Sequence, residues 1–187
     1  MANQDDERLL ERIRNARLAD LADGMDAIGL INNGTMSPNM RPLREGTSMA
    51  GFAYTVKLIP AEDHPKACVS FEDYQQQLGR WCEDVYSFVG GFADGKGKDM
   101  VIVIDAAGCP AGVWGSEIAM NAMKNGVVGV VIDGACRDCY ETKLEKAKVW
   151  CTVRTCNHVY GRLISGGVDI PIRCAGVGVR PGDIVCG

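Results

Sequence analysis

The stretch VIVIDAAGCPAGVWGSEIAMNAMKNGVVGVVIDGACRD, residues 101–138, decides the fold. Met100 to Ile104 is a short unbroken apolar run, the pattern of a strand covered on both faces. A loop rich in Gly, Ala and Pro follows, AAGCPAGVWG. In SEIAMNAMKNG, Ser116 is the expected N-cap, Ile118, Ala119, Ala122 and Met123 recur at helical intervals, and Asn125-Gly126 is a stop signal. Val127 to Ile132 is the next buried strand. Strand, helix and strand within roughly thirty residues make a βαβ unit, which predicts two parallel strands joined by a right-handed crossover.

Working outward, residues 5–30 carry Leu9, Leu10, Ile13, Leu18, Leu21, Met25 and Ile28 at helical spacing behind Asp5, Asp6 and Glu7. This predicts one helix and a second, shorter one ending near Gly29. GFAYTVKLI, Gly51 to Ile59, reads as a strand closed by Pro60. From Ala67 to Val89 the stripe Val69, Tyr74, Leu78, Trp81, Val85 and Phe88 predicts a helix packed on the core, with a break at Gly79. Downstream, Glu141 to Lys148 is a short polar helix, Val149 to Val153 a strand, and Asp169 to Val179 one or two more strands. Pro181-Gly182-Asp183 turns into a final apolar IVC.

At 187 residues the chain fits a single domain with a core of its own. Its 47% hydrophobic and 24% charged residues are those of an ordinary globular protein. A net charge of −4 and a pI of 5.2, with no Lys/Arg block, argue against a nucleic-acid partner. No apolar stretch reaches the roughly 20 residues of a membrane helix. The start MANQDDERLLERIR lacks the features of a signal peptide, so a cytoplasmic protein without a membrane partner is expected. Nine cysteines, an odd number scattered through apolar segments, read as reduced thiols.

Ligands in open α/β sheets bind outside the carboxyl ends of the strands. One predicted strand exits toward the tip of the Ser116 helix, whose free N–H groups around Gly115 to Ile118 can cradle a carboxylate or phosphate. The next delivers the loop Asp133-Gly134-Ala135-Cys136-Arg137-Asp138. Arg137 offers a planar, permanently charged fork, and Asp138 a hard oxygen donor that suits Mg²⁺ or Mn²⁺ with water and a chelating ligand. The alternative is a solvated turn pair. Asp133 and Glu141 either orient Arg137 or a water on the metal, or merely shape a turn and a first helical turn. Cys136-x₂-Cys139 with Cys151-x₄-Cys156 has the spacing of a four-thiolate zinc site. Because the first pair straddles Arg137-Asp138 and Cys151 lies in an apolar strand, small buried thiols are the better reading. His64 and His158 lack partners at ligand spacing and read as loop or surface residues.

WGSEIAMNAMKNGVVGVVIDGACRD (114–138), with VIVIDAAG (101–108) and RPGDIV (180–185), resembles the RraA-like family. That family includes regulators of ribonuclease E activity and metal-dependent 4-hydroxy-4-methyl-2-oxoglutarate/4-carboxy-4-hydroxy-2-oxoadipate aldolases. LADGMDAIG (21–29) and GFAYTV (51–56) are similar to further family landmarks, and the likeness is weakest between Leu58 and Lys98. The signature is a small or acidic residue, twenty intervening positions, Arg-Asp and, often, an acid after two further intervening positions; Ser116, Arg137, Asp138 and Glu141 match it.

The resemblance implies an α/β fold, a compact α/β/α sandwich of the swivelling β/β/α type around the βαβ unit. It implies a homotrimer or homohexamer with sites at subunit boundaries. By this carry-over Asp138 anchors Mg²⁺ or Mn²⁺, and Arg137 binds the keto and carboxylate oxygens of a small 2-oxo acid. Gly115, Ser116, Glu117 and Ile118 complete the substrate cradle, and Arg137 and Asp138 are the catalytic pair. The implied activity is a lyase that releases pyruvate by retro-aldol cleavage, with oxaloacetate decarboxylation as a side activity. The alternative is a non-catalytic, ring-shaped regulator. Two departures stand out: Ser116 occupies a position acidic in the aldolases, with Glu117 turned away by about 100°. The chain also reads as a single domain over residues 1–187 without the family's closing strand and tail.

Overall fold

A computed structural model describes residues 4–187. The elements are α1 (Gln4–Arg14), α2 (Leu18–Ala27), β1 (Arg41–Pro42), β2 (Ala50–Pro60), α3 (Phe71–Val85), β3 (Met100–Asp105) and β4 (Gly112–Trp114). They continue with α4 (Ser116–Lys124), β5 (Gly129–Cys136), α5 (Cys139–Leu144), β6 (Val149–Arg154), β7 (Leu163–Val168), β8 (Ile172–Cys174), β9 (Val177–Val179) and β10 (Ile184–Cys186). None of the described helices is long and apolar enough to cross a membrane.

Among the described residues, eight strands form one mixed sheet whose spine runs β1-β6-β5-β3-β2-β10, with β4 beside β5 and β7 beside β2. β2, β3, β5 and β6 run parallel, while β1, β7 and β10 pair antiparallel. The expected βαβ unit is therefore β3-α4-β5, and its strands are immediate neighbours, Ile102 beside Val130 and Ile104 beside Ile132. Alternation along these strands fills two cores. Val56, Leu58, Ile102, Ile104, Val130 and Ile132 pack beneath the helices with Val85, Ala119 and Phe88. Val101, Val103, Val131 and Trp150 face the β8–β9 hairpin through Ile172, Cys174 and Val179. The layering is helix, sheet and hairpin, the β/β/α arrangement expected of the fold.

Several expectations are refined. The two N-terminal helices and the β2 strand form as the periodicity predicts. α3 runs unbroken through Gly79, because nothing crowds that glycine and its neighbours keep their helical bonds. β5 extends to Cys136, so Asp133, Gly134 and Ala135 lie within a strand rather than in its exit loop. β7 breaks the interval between residues 153 and 169, where Gly166 and Gly167 dilute the strand signal.

Candidate active site

At the carboxyl edge of β3 and β5 the chain doubles the sheet before starting α4. The loop after β3 returns as β4, which lies parallel to the end of β5 with Gly112 opposite Ala135 and Trp114 opposite Cys136. Arg137 N–H donates to the Trp114 carbonyl at 2.8 Å, which fixes the loop after β5 against the strand leading to the helix tip. Gly115, not Ser116, is the N-cap of α4; Ser116 is the first helical residue and its hydroxyl makes no capping bond. The tip therefore presents unsatisfied N–H groups at Gly115 to Ile118, as every helix start does.

Asp138 meets that tip. A Cβ built on Gly115 would collide with Asp138 Oδ2 and stand 3.4 Å from Arg137 Cγ, so glycine is what lets the carboxylate lie against the helix start. Asp138 itself takes a left-handed conformation, φ 48° and ψ 40°, at the N-cap of α5. Its carbonyl accepts the Thr142 N–H at 2.9 Å, but its carboxylate caps nothing in α5 and is turned to the Gly115 side instead. Arg137 Nε stands 3.5 Å from Asp138 Oδ2, with both side chains about a third exposed. The stem of Arg137 is seated over Gly112, where a Cβ would fall 2.8 Å from Arg137 Cβ and 2.9 Å from the Asn157 carbonyl. The residues that matter are thus held by backbone approaches that only glycine permits.

Other groups surround this corner. Cys82 on α3 and Tyr86 just past its end lie near it: burial raises both pKa values, and each feels the charges of Arg137 and Glu117. His158 bridges to Gly112 and its Nδ1 accepts the Tyr160 N–H at 3.0 Å. Burial depresses its pKa, and the nearby Arg137 and Arg162 cations lower it further, which favours the neutral imidazole. Beneath the corner, Cys139 Sγ lies 3.5 Å from the Cys136 carbonyl, and burial pushes the Cys136 thiol up and that of Cys151 to about 11. Burial thus favours the thiol over the thiolate at Cys136 and Cys151.

The predicted residues separate into two groups. Gly115, Ser116, Arg137 and Asp138 converge, with Glu117 exposed on the first turn of α4 and Ile118 packed against the core. Glu141 is exposed in the first turn of α5. Asp133 is engaged elsewhere: its Oδ2 accepts the Ala175 N–H at 2.8 Å, tying the β8–β9 turn to the sheet. The Asp-Gly turn reading fails for the same reason, since β5 continues through both residues. His158, Cys82 and Tyr86 are the residues that the sequence reading did not bring here. His158 is distant in the chain from its neighbours, and α3 lies where the family likeness is weakest.

Among the described residues no three His, Cys, Asp or Glu side chains gather in a metal-holding group. What the corner offers is one hard carboxylate, Asp138, about a third exposed and lying against Gly115. Such a set fits Mg²⁺ or Mn²⁺, which retain most of their waters and accept a chelating ligand, and does not fit a closed thiolate site.

The family description RraA-like (Aldolase/RraA) matches residues 18–187. Protein DlpA of Legionella pneumophila is 30% identical over 179 residues, 95% of this chain and 26% of its own length. A protein of Halalkalibacterium halodurans named "Putative 4-hydroxy-4-methyl-2-oxoglutarate aldolase" is 29% identical over 168 residues, 89% of this chain and 66% of its own. The chain thus spans about a quarter of the first relative and just under two thirds of the second. In fold it is similar to Streptomyces coelicolor RraAS2, described as an unusual member of the RNase ES inhibitor RraA protein family. The TM-score is 0.75 at 20% identity, covering 96% of this chain and 79% of the other.

Proposed function

This chain belongs to the RraA-like family, and from that membership and the corner built at Gly115 we propose that it is a divalent-metal-dependent lyase. Its substrate is a 4-hydroxy-2-oxo acid, cleaved to pyruvate by retro-aldol chemistry, with oxaloacetate decarboxylation as a side activity. One observation carries the reading: Asp138 holds its carboxylate against the Gly115 helix tip with Arg137 alongside. Asp138 would hold Mg²⁺ or Mn²⁺, which when bound supplies Lewis-acid stabilisation of negative charge on the 2-oxo acid.

The remaining work falls to the chain's own groups. The Arg137 fork binds the C1 carboxylate and the C2 oxygen, where negative charge grows as the C3–C4 bond breaks. The N–H groups of Gly115 to Ile118 receive a carboxylate at the positive end of α4. A nearby carboxylate must take the C4 hydroxyl proton as the C4 carbonyl forms, and the enolate left at C3 is protonated to release pyruvate. Cytoplasmic assembly as a trimer or hexamer, with sites at subunit boundaries, belongs to this proposal.

The test is pyruvate release from a panel of 4-hydroxy-2-oxo acids and from oxaloacetate, with Mg²⁺ or Mn²⁺ and with EDTA. We expect turnover that EDTA abolishes, and a drop in kcat/KM of about 100- to 1000-fold in Arg137→Ala and in Asp138→Ala. Absence of turnover across the panel would favour the second reading, a non-catalytic ring-shaped regulator. Ser116, at the position where the aldolases it resembles carry an acid, is the observation that favours that reading.

A further inference from the structure

At the outer edge of the sheet, beyond β6, β1 pairs antiparallel with Cys151 and Trp150. Beside this pair opens a groove of about 830 Å³. Four cations line it, Arg41, Arg44, Lys143 and Arg154, against one carboxylate, Glu45. They come from three separate parts of the chain, the β1 segment, α5 and the end of β6. A chain of net charge −4 thus gathers positive charge in one place.

These cations have no internal partner. Among the described residues, none of the four side chains makes an ion pair or a hydrogen bond, whereas Arg14, Arg17, Lys57 and Arg137 each do. Arg44 Nε is shielded from solvent and donates to nothing. An orphaned donor on a charged group is costly, and like charges sharing a cleft repel. Both costs are relieved by an anion in the groove. Guanidinium forks match the paired oxygens of carboxylate and phosphate, and the volume is that of a small-molecule pocket.

We propose that this groove is a second ligand site, for a compact, multiply charged anion bearing phosphoryl or carboxylate groups. It is distinct from the Arg137–Asp138 corner and does not depend on the lyase reading. It is also close to that corner in the fold. Arg154 stands opposite Cys136 in the β5–β6 register, one residue before Arg137. An anion that draws Arg154 therefore bears on the segment that carries Arg137, which gives the site a route to influence the corner.

Calorimetric titration with pyrophosphate and with citrate, each at low salt and at about 150 mM salt, tests the proposal on the intact protein. We expect one anion bound per chain, weakened at least about tenfold in Arg44→Gln and in Arg154→Gln, and unchanged in Arg173→Gln on the exposed face of β8. Preference for pyrophosphate identifies a phosphoryl ligand, and preference for citrate a polycarboxylate; either sustains the site. No binding of either anion overturns it, as does binding that falls equally in Arg173→Gln. Light scattering completes the test: if Arg44→Gln or Arg154→Gln changes the oligomeric mass and leaves anion binding intact, the groove is a subunit contact and the proposal is wrong.

Discussion

On the helix-covered face of the sheet, α4 buries Ala119 and Ala122, and the buried rings of Phe88 and Phe92 pack against each other. On the other face, α2 buries none of its residues and stands across a cavity of about 740 Å³ lined by Met25, Met36, Met40, Met49 and Trp150. The same strands serve both faces, so the contrast does not lie in the sheet. It lies in what covers it: small buried alanines on α4 on one side, and long, flexible methionines lining an open cavity on the other. The candidate site grows from the dense face, at the tip of α4. Positioning a site needs rotamers locked by packing.

The contrast can be challenged by substitution. Phe88→Ala, emptying a fully buried position on the dense face, should cost about 3–5 kcal/mol in denaturant unfolding. A smaller loss would mean that the face is softer than it looks. Gly115→Ala should leave the unfolding midpoint nearly unchanged, since its φ of −145° suits any residue, yet lower turnover about 100-fold by displacing Asp138. Retained turnover would separate the carboxylate from the chemistry.

A third effect is tied to pH. Because His158 is held below its ordinary value near 6.5, the unfolded chain takes up a proton that the folded chain refuses. Stability should fall as pH drops below about 6.5 and level off under the folded-state value, and His158→Gln should flatten that slope in thermal melts. The smallest effect belongs to the open face. Leu21→Ala on α2 should shift stability by less than about 0.5 kcal/mol. A loss of 2 kcal/mol or more, about what a core truncation costs, would reveal that the cavity is covered in solution.

Much of the dense face was legible in the sequence, because unbroken apolar runs such as Met100 to Ile104 and Val127 to Ile132 carry their environment in their composition. The Arg137–Asp138 corner could be placed at the right edge for the same reason. The details around it could not. β4 is three residues inside a Gly/Pro-rich loop, too short to have a period, and it decides where α4 begins. Asp133 looked like a turn because Asp-Gly is a turn pair, but the Ala175 N–H gives it a partner that only the fold supplies. Cys82, Tyr86 and His158 reach the corner from distant segments, and the Arg41, Arg44, Lys143 and Arg154 groove is likewise assembled from residues that form no linear block. Local pattern encodes the elements; convergence belongs to tertiary structure.

The left-handed backbone of Asp138 sets two selective pressures against each other. Glycine would occupy that geometry more comfortably, and asparagine tolerates it about as well as aspartate does. A library screened only for endurance to heat should therefore drift toward glycine at position 138, and one screened for turnover should return to aspartate.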